Sequence, residues 1–85
     1  IKISQKDETQ YVPQAVVDLM FDNDWTIIRA WREHLGLTQA GVAAKLGITQ
    51  SAYAQQETSK RTRKDTRERI ASVLGIAPSQ LTLDY

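Results

Sequence analysis

The stretch LTQAGVAAKLGITQSAYAQQE, residues Leu37 to Glu57, constrains this chain more than any other. It holds two runs of about two helical turns each, separated only by Gly47, Ile48 and Thr49. Thr38 stands where its hydroxyl can accept from a free first-turn N–H of Gln39 to Leu46, and Thr49 repeats the device for Gln50 to Glu57. Gly47 is placed to take the left-handed conformation that ends the first run. Three connecting residues with such a glycine force a sharp turn, so the two helices cross steeply and cannot lie parallel. Ala43 is small where the second helix crosses the first, while Val42, Leu46, Ile48 and Tyr53 supply the apolar positions that lock the pair. This is helix-turn-helix geometry.

The flanks predict more helices. Pro13 at a first-turn position, followed by Ala15, Val16, Val17, Leu19 and Met20, reads as a short helix ending near Asn23, and Val12 extends its apolar face. Asp24 is then expected to cap a helix from Trp25 to Leu35. Its Ile27, Ile28, Trp31 and Leu35 fall three and four apart on one face, and Gly36 ends it. After the polar connection Thr58 to Thr62, a helix is expected from Arg63 to Leu74, stopped by Gly75 before a short Pro78 to Leu81 turn. Leu81, Leu83 and Tyr85 alternate in the tail. The fold class is all-α: a compact bundle of five to six short helices containing the helix-turn-helix.

Composition narrows the chemistry. Eighty-five residues allow one small domain with a modest core, since such a chain buries only about 60 to 65% of its unfolded surface. With no cysteine and a single histidine, His34, neither a disulfide framework nor a metal-ligand cluster is expected, and no cofactor is called for. His34 falls at a helix C-terminus, where a charged imidazole suits the dipole. No apolar run approaches the roughly 20 residues of a membrane span, and no signal-peptide pattern opens the chain. A cytoplasmic protein is expected. The chain opens on Ile1 rather than an initiator Met, which leaves room for residues ahead of it. No nucleophile, base and orienting residue converge in the pattern, so an enzyme is not expected.

The net charge of +1 hides a division. Residues 1–24 carry two lysines against five carboxylates, whereas residues 58–69 carry six cations against two. An acidic N-terminal arm and a basic cluster define two surfaces, the second suited to a polyanion.

The segment RAWREHLG together with LTQAGVAAKLGITQSAYAQQE resembles the lambda-repressor-like, or Xre, family of helix-turn-helix regulators, over about Trp25 to Leu81. The resemblance implies that the second helix of the motif enters the DNA major groove and that its first residues reach base edges. It explains why uncharged glutamines stand where a solvated helix would carry Lys and Glu. A carboxamide can bind adenine in a bidentate manner. Gln50, Ser51 and Gln55 match base-reading positions. Gln39 and Thr49 match phosphate contacts at helix starts, and Lys60, Arg61, Arg63 and Lys64 match a clamp on the DNA backbone. Arg32 and Glu57 match a structural ion pair. Tyr53, Trp25 and Trp31 are expected to fill the core. The chain departs from the family pattern at three places. Gly41 lies inside a helix and costs roughly 0.5 to 1 kcal/mol relative to Ala, so Gly41→Glu is expected to raise the melting temperature. Gln56 replaces an aliphatic residue, and Ser59 replaces a turn glycine.

The resemblance divides the chain into an N-terminal arm and short helix, 1–23, a DNA-binding domain, 24–81, and a tail, 82–85. YVPQAVVDLMFDNDWTIIRAWREHLGLTQ also looks like the host-inhibition-of-growth (HigA-like) antitoxin branch, whose partner is a RelE/ParE-type toxin. That implies a repressor of its own type II toxin–antitoxin operon, binding double-stranded operator DNA as a homodimer. Val12, Val16, Val17, Leu19 and Met20 are the arm's contact candidates for a toxin or second copy, and Ile76, Leu81 and Leu83 those of the C-terminal region. The arm's helix equally fits a role in capping the core. Two alternatives stand beside this reading: a toxin-neutralising module with secondary DNA binding, and a phage-type repressor without a toxin.

Overall fold

The computed structural model describes residues 12–81, in which five helices and a 3-10 turn follow one another. They are α1 Gln14–Asn23, α2 Ile27–His34, α3 Gln39–Leu46, α4 Gln50–Thr58, α5 Lys64–Leu74 and the turn Pro78–Leu81. No strand occurs among the described residues. The all-α expectation holds; the alternating tail at Leu83 and Tyr85 lies outside the described residues.

The caps of the central pair act as their chemistry requires. Thr38 Oγ1 accepts from Gly41 N at 2.9 Å and Thr49 Oγ1 from Ala52 N at 3.1 Å, each satisfying a first-turn donor. Gly47 takes φ 75°, ψ 27° and closes α3. The start of α2 differs from expectation. Asp24 does not cap it, because Asp24 takes φ 57°, ψ 42° and donates its N–H to the Met20 carbonyl, ending α1. Aspartate is one of the few residues that tolerate this conformation. Thr26 caps α2 instead, accepting from Arg29 N at 3.3 Å. Its hydroxyl proton goes to the Glu57 carbonyl at 2.5 Å, tying the start of α2 to the end of α4. At the other flank Pro13, with ψ 147°, precedes α1 rather than forming its first helical residue, and Arg63 likewise precedes α5.

One core runs through all five helices. Val16, Ile28, Trp31, Val42, Tyr53, Ile70 and Leu74 are buried in it, with Ala30, Ala43 and Ala71 letting the helices approach. Trp31 also donates from Nε1 to the Gln80 carbonyl at 2.7 Å, holding the C-terminal turn against α2. Trp25 is only half-buried, lying in the α1–α2 turn with the Arg29 guanidinium 4.2 Å above its ring. Leu35, expected on the inner face of α2, is 40% exposed because the helix has ended one residue earlier.

Two partner candidates are corrected by this packing. Val16 is 0% exposed and Leu81 2%, so both side chains are used inside the chain's own core and present nothing to a toxin or a second copy. Leu83 lies outside the described residues.

Candidate nucleic-acid interface

The start of α4 projects its polar side chains outward because Tyr53 and Glu57, four apart, take the inward face. Gln50, Ser51 and Gln55 are all exposed. Ser51 and Gln55 share one face at a spacing of four, with Gln50 beside them at the first turn. Thr49 is exposed and capping α4; a hydroxyl that accepts one hydrogen bond still has a proton to donate to a phosphate.

Gln39 sits differently from a simple phosphate contact. It is half-buried, and its Nε2 donates to Glu57 Oε1 at 2.6 Å while its Oε1 faces Gln50 Nε2 at 3.4 Å. Glu57 receives Arg32 Nε on its other oxygen at 2.5 Å. Arg32 donates further to the Leu37 carbonyl at 2.7 Å and to Glu33 at 3.3 Å. Four residues singled out in the sequence, Arg32, Glu57, Gln39 and Gln50, are thus brought into one connected row. Its link between Gln39 and Glu57 spans 18 positions of sequence and was not foreseen.

Lys60, Arg61, Arg63 and Lys64 are exposed along the α4–α5 connection and the start of α5. Among the described residues none of them pairs with a carboxylate, whereas Arg29, Arg32 and Arg69 do. Cations at a helix N-terminus oppose the helix dipole, so Arg63 and Lys64 concentrate positive potential there rather than steady the helix. Ser59 explains its own departure from glycine: with φ −72° and ψ 134° the turn needs no left-handed residue. Its hydroxyl accepts from Arg61 N at 3.2 Å and shapes the α4–α5 connection directly. Gln56 is half-buried beside Leu46, Ile48, Thr66 and Arg69, at the seam between α4 and α5.

Burial pushes the Tyr53 phenol well above its ordinary pKa, the Glu57 carboxylate adds to the shift, and Arg32 opposes it. The same burial works against the Arg32 guanidinium, but the Glu57 hydrogen bond and the charges of Glu57 and Glu33 outweigh it, leaving the pKa raised. These groups lie beneath the exposed row and tie α4 to α2 and α3. Among the described residues no cluster of His, Cys, Asp or Glu could hold a metal, and no helix is long and apolar enough to cross a membrane.

A helix pair joined by a three-residue turn that presents uncharged amides on its second helix, followed by exposed cations that are unpaired among the described residues, defines the class of helix-turn-helix proteins that read DNA. The helix-turn-helix family model matches residues 28–81, and the chain belongs to that family, the lambda-repressor-like or Xre-type DNA-binding transcriptional regulators. No curated protein and no solved structure matches the chain.

Proposed function

We propose that this protein is a sequence-specific repressor that binds a pseudo-palindromic operator as a homodimer. The observation that carries this reading is the presence of Gln50, Ser51 and Gln55, exposed on α4, together with the exposed cations Lys60, Arg61, Arg63 and Lys64, which are unpaired among the described residues. Amides distinguish bases and cations grip phosphates, so the two groups divide specificity from affinity. Gln39 belongs to the first group through Gln50, and Thr49 to the second. One recognition helix reads only a few base pairs, so two copies with helices about 34 Å apart supply a usable site. Ile76, half-buried beside the C-terminal turn, is the described residue left for that contact. The test is a fluorescence-anisotropy titration of the chain with DNA from its own upstream region and with a scrambled duplex, at two salt concentrations. A preference of about a thousandfold, falling steeply with salt, is the expected result. Equal weak binding to both duplexes refutes it.

The proposal extends to an antitoxin of a type II toxin–antitoxin system, with α1 as the surface for a basic toxin of the RelE/ParE type. Phe21 supports this: it is 67% exposed, with Asp18, Asp22 and Asp24 also exposed around it. Carboxylates at a helix C-terminus oppose the dipole, as the cations of α5 do at their end, and a cationic partner would relieve them. Of the arm's five earlier candidates, Val17 is the one that shares Phe21's face, at a spacing of four. Val12, Leu19 and Met20 pack against the core from partly buried positions. Pull-down of the neighbouring gene product by the wild-type chain and by Phe21→Ser separates this role from that of a phage-type repressor, for which no product is captured by either.

A further inference from the structure

Lys64 and Glu68 stand four apart on α5 with opposite charges on one helix face, yet among the described residues neither has an ion-pair partner. Lysine ahead of glutamate is the weaker order for such a pair. Arg67, three positions after Lys64 on that face, also lacks a carboxylate among the described residues. Its Nη1 donates to the Thr62 carbonyl at 2.9 Å, which holds the guanidinium in place. The Nε and Nη2 edge remains, and that edge engages a carboxylate through two parallel hydrogen bonds. All three side chains line one open cleft of about 140 Å³, together with Pro78 and Ser79 of the C-terminal turn. A cavity of about 150 Å³ accepts benzene, so the cleft has room for a ligand of roughly six heavy atoms.

Two cations and a carboxylate around one space call for a ligand of both signs. A simple anion would sit beside the like charge of Glu68, and a simple amine would meet Lys64 and Arg67. We infer that this cleft binds a small α-amino acid, with its carboxylate on Arg67 and Lys64 and its ammonium on Glu68, and that occupancy withdraws Lys64 from DNA. The second half rests on the clamp role proposed for Lys64. Lys64 and Glu68 are exposed, so water and salt screen their contacts and affinity in the millimolar range is expected.

The test titrates the full chain with L-alanine, L-serine, propionate, ethylamine and inorganic phosphate while backbone amide shifts are followed by NMR. Either amino acid is expected to shift the amides around Lys64 to Glu68 and Ser79 to Leu81. Propionate and ethylamine, which each lack one charge of alanine, should bind at least about tenfold more weakly, and Glu68→Gln should weaken alanine by a similar factor. With the cleft saturated, the slope of log K against log salt for DNA should shrink by about one, and no further in Lys64→Gln. No shift with either amino acid at millimolar concentration overturns the site. Equal binding of propionate or phosphate, or alanine binding unchanged in Glu68→Gln, overturns the assignment to a zwitterion. An intact salt slope on saturation, where Lys64→Gln lowers it, overturns the effect on DNA. A slope unmoved by Lys64→Gln itself removes the clamp reading and leaves the amino-acid site standing.

Discussion

Arg32 on α2 and Glu57 on α4 join Nε to Oε2 at 2.5 Å, with side chains 7% and 0% exposed. The pair ties the helix ahead of the motif to the end of the recognition helix. Because two ions taken from water repay their desolvation only while both are present, either one alone is worse than neither. Glu57→Leu and Arg32→Met are each expected to cost about 3 kcal/mol or more, a large share of the stability of so small a domain. Arg32→Met combined with Glu57→Leu should recover much of that loss. Urea denaturation of the four proteins checks it: costs that simply add would show that the two charges do not act as a pair.

Tyr53 shares this interior. Its ring is fully buried, and among the described residues its hydroxyl has no hydrogen-bond partner. Replacing it by Phe removes a buried polar group without opening a cavity, so Tyr53→Phe is expected to hold or raise the melting temperature at neutral pH. The variant also has a pH signature. The folded phenol keeps its proton at pH values where the unfolded one, near its ordinary 10.0, loses it. Its contribution is therefore full below about pH 10 and is lost as pH rises beyond. Between about pH 9 and about pH 11 the wild type should lose more stability than Tyr53→Phe; parallel losses would contradict the burial assigned to the hydroxyl.

Gly41 poses a question of sign. Replacing it removes a backbone-entropy penalty of up to about 1 kcal/mol. A Cβ there, however, meets Thr38 Oγ1, the cap of the same helix, at 3.0 Å. The cap sits on an exposed residue before the helix and has room to yield, so the propensity gain is expected to win. Gly41→Ala should raise the melting temperature by about 2 to 5 °C, and Gly41→Glu by at least as much, since a glutamate three residues past the cap can reach back to the Thr38 N–H. A fall in both would mean that the cap cannot move.

The features legible in the sequence were the local ones. Thr38, Thr49, Gly47 and Gly75 fix helix ends through chemistry within four residues of themselves, and the central helices stand where those residues placed them. Asp24 is ambiguous in the sequence because aspartate both caps helices and tolerates the left-handed region, and only the path of the chain decides between the two. Sidedness was harder. Val16 and Phe21 are equally apolar in a list, yet one is the centre of a core and the other faces outward, because the position of α2 determines which face of α1 is covered. The spacing of four between Val17 and Phe21 is the local signal for that outward face. The contact of Gln39 with Glu57 depends on how α3 and α4 cross, which no local pattern encodes.

Phe21 yields a prediction of separable functions. Its side chain is 67% exposed, so Phe21→Ser removes little from the core and is expected to change stability by no more than about 0.5 kcal/mol. DNA affinity should be unaffected. Capture of a basic partner protein, measured by calorimetry with the purified neighbouring gene product, should weaken at least about tenfold, as for loss of an interfacial aromatic anchor. Equal capture by both proteins would move the partner surface away from α1.

Lys64 brings stability and binding into opposition. It occupies the first helical position of α5, beside the exposed Arg63, at the positive end of the helix dipole. Asp65 in the same turn offsets part of that charge, but its carboxylate is turned to Thr66 N at 2.8 Å and to Arg69 at 3.5 Å, leaving Lys64 unpaired among the described residues. Lys64→Gln removes an unfavourable charge and is expected to stabilise the fold by about 0.3 to 1 kcal/mol. On the clamp role proposed for Lys64 the same change removes one phosphate contact, so binding should weaken on the cognate and scrambled duplexes alike, and the slope of log K against log salt should shrink by about one. Melting curves and titrations at several salt concentrations read the two effects separately. A gain in stability with an unchanged salt slope would place Lys64 off the DNA path; a loss of stability would mean that it steadies α5 through contacts of its own.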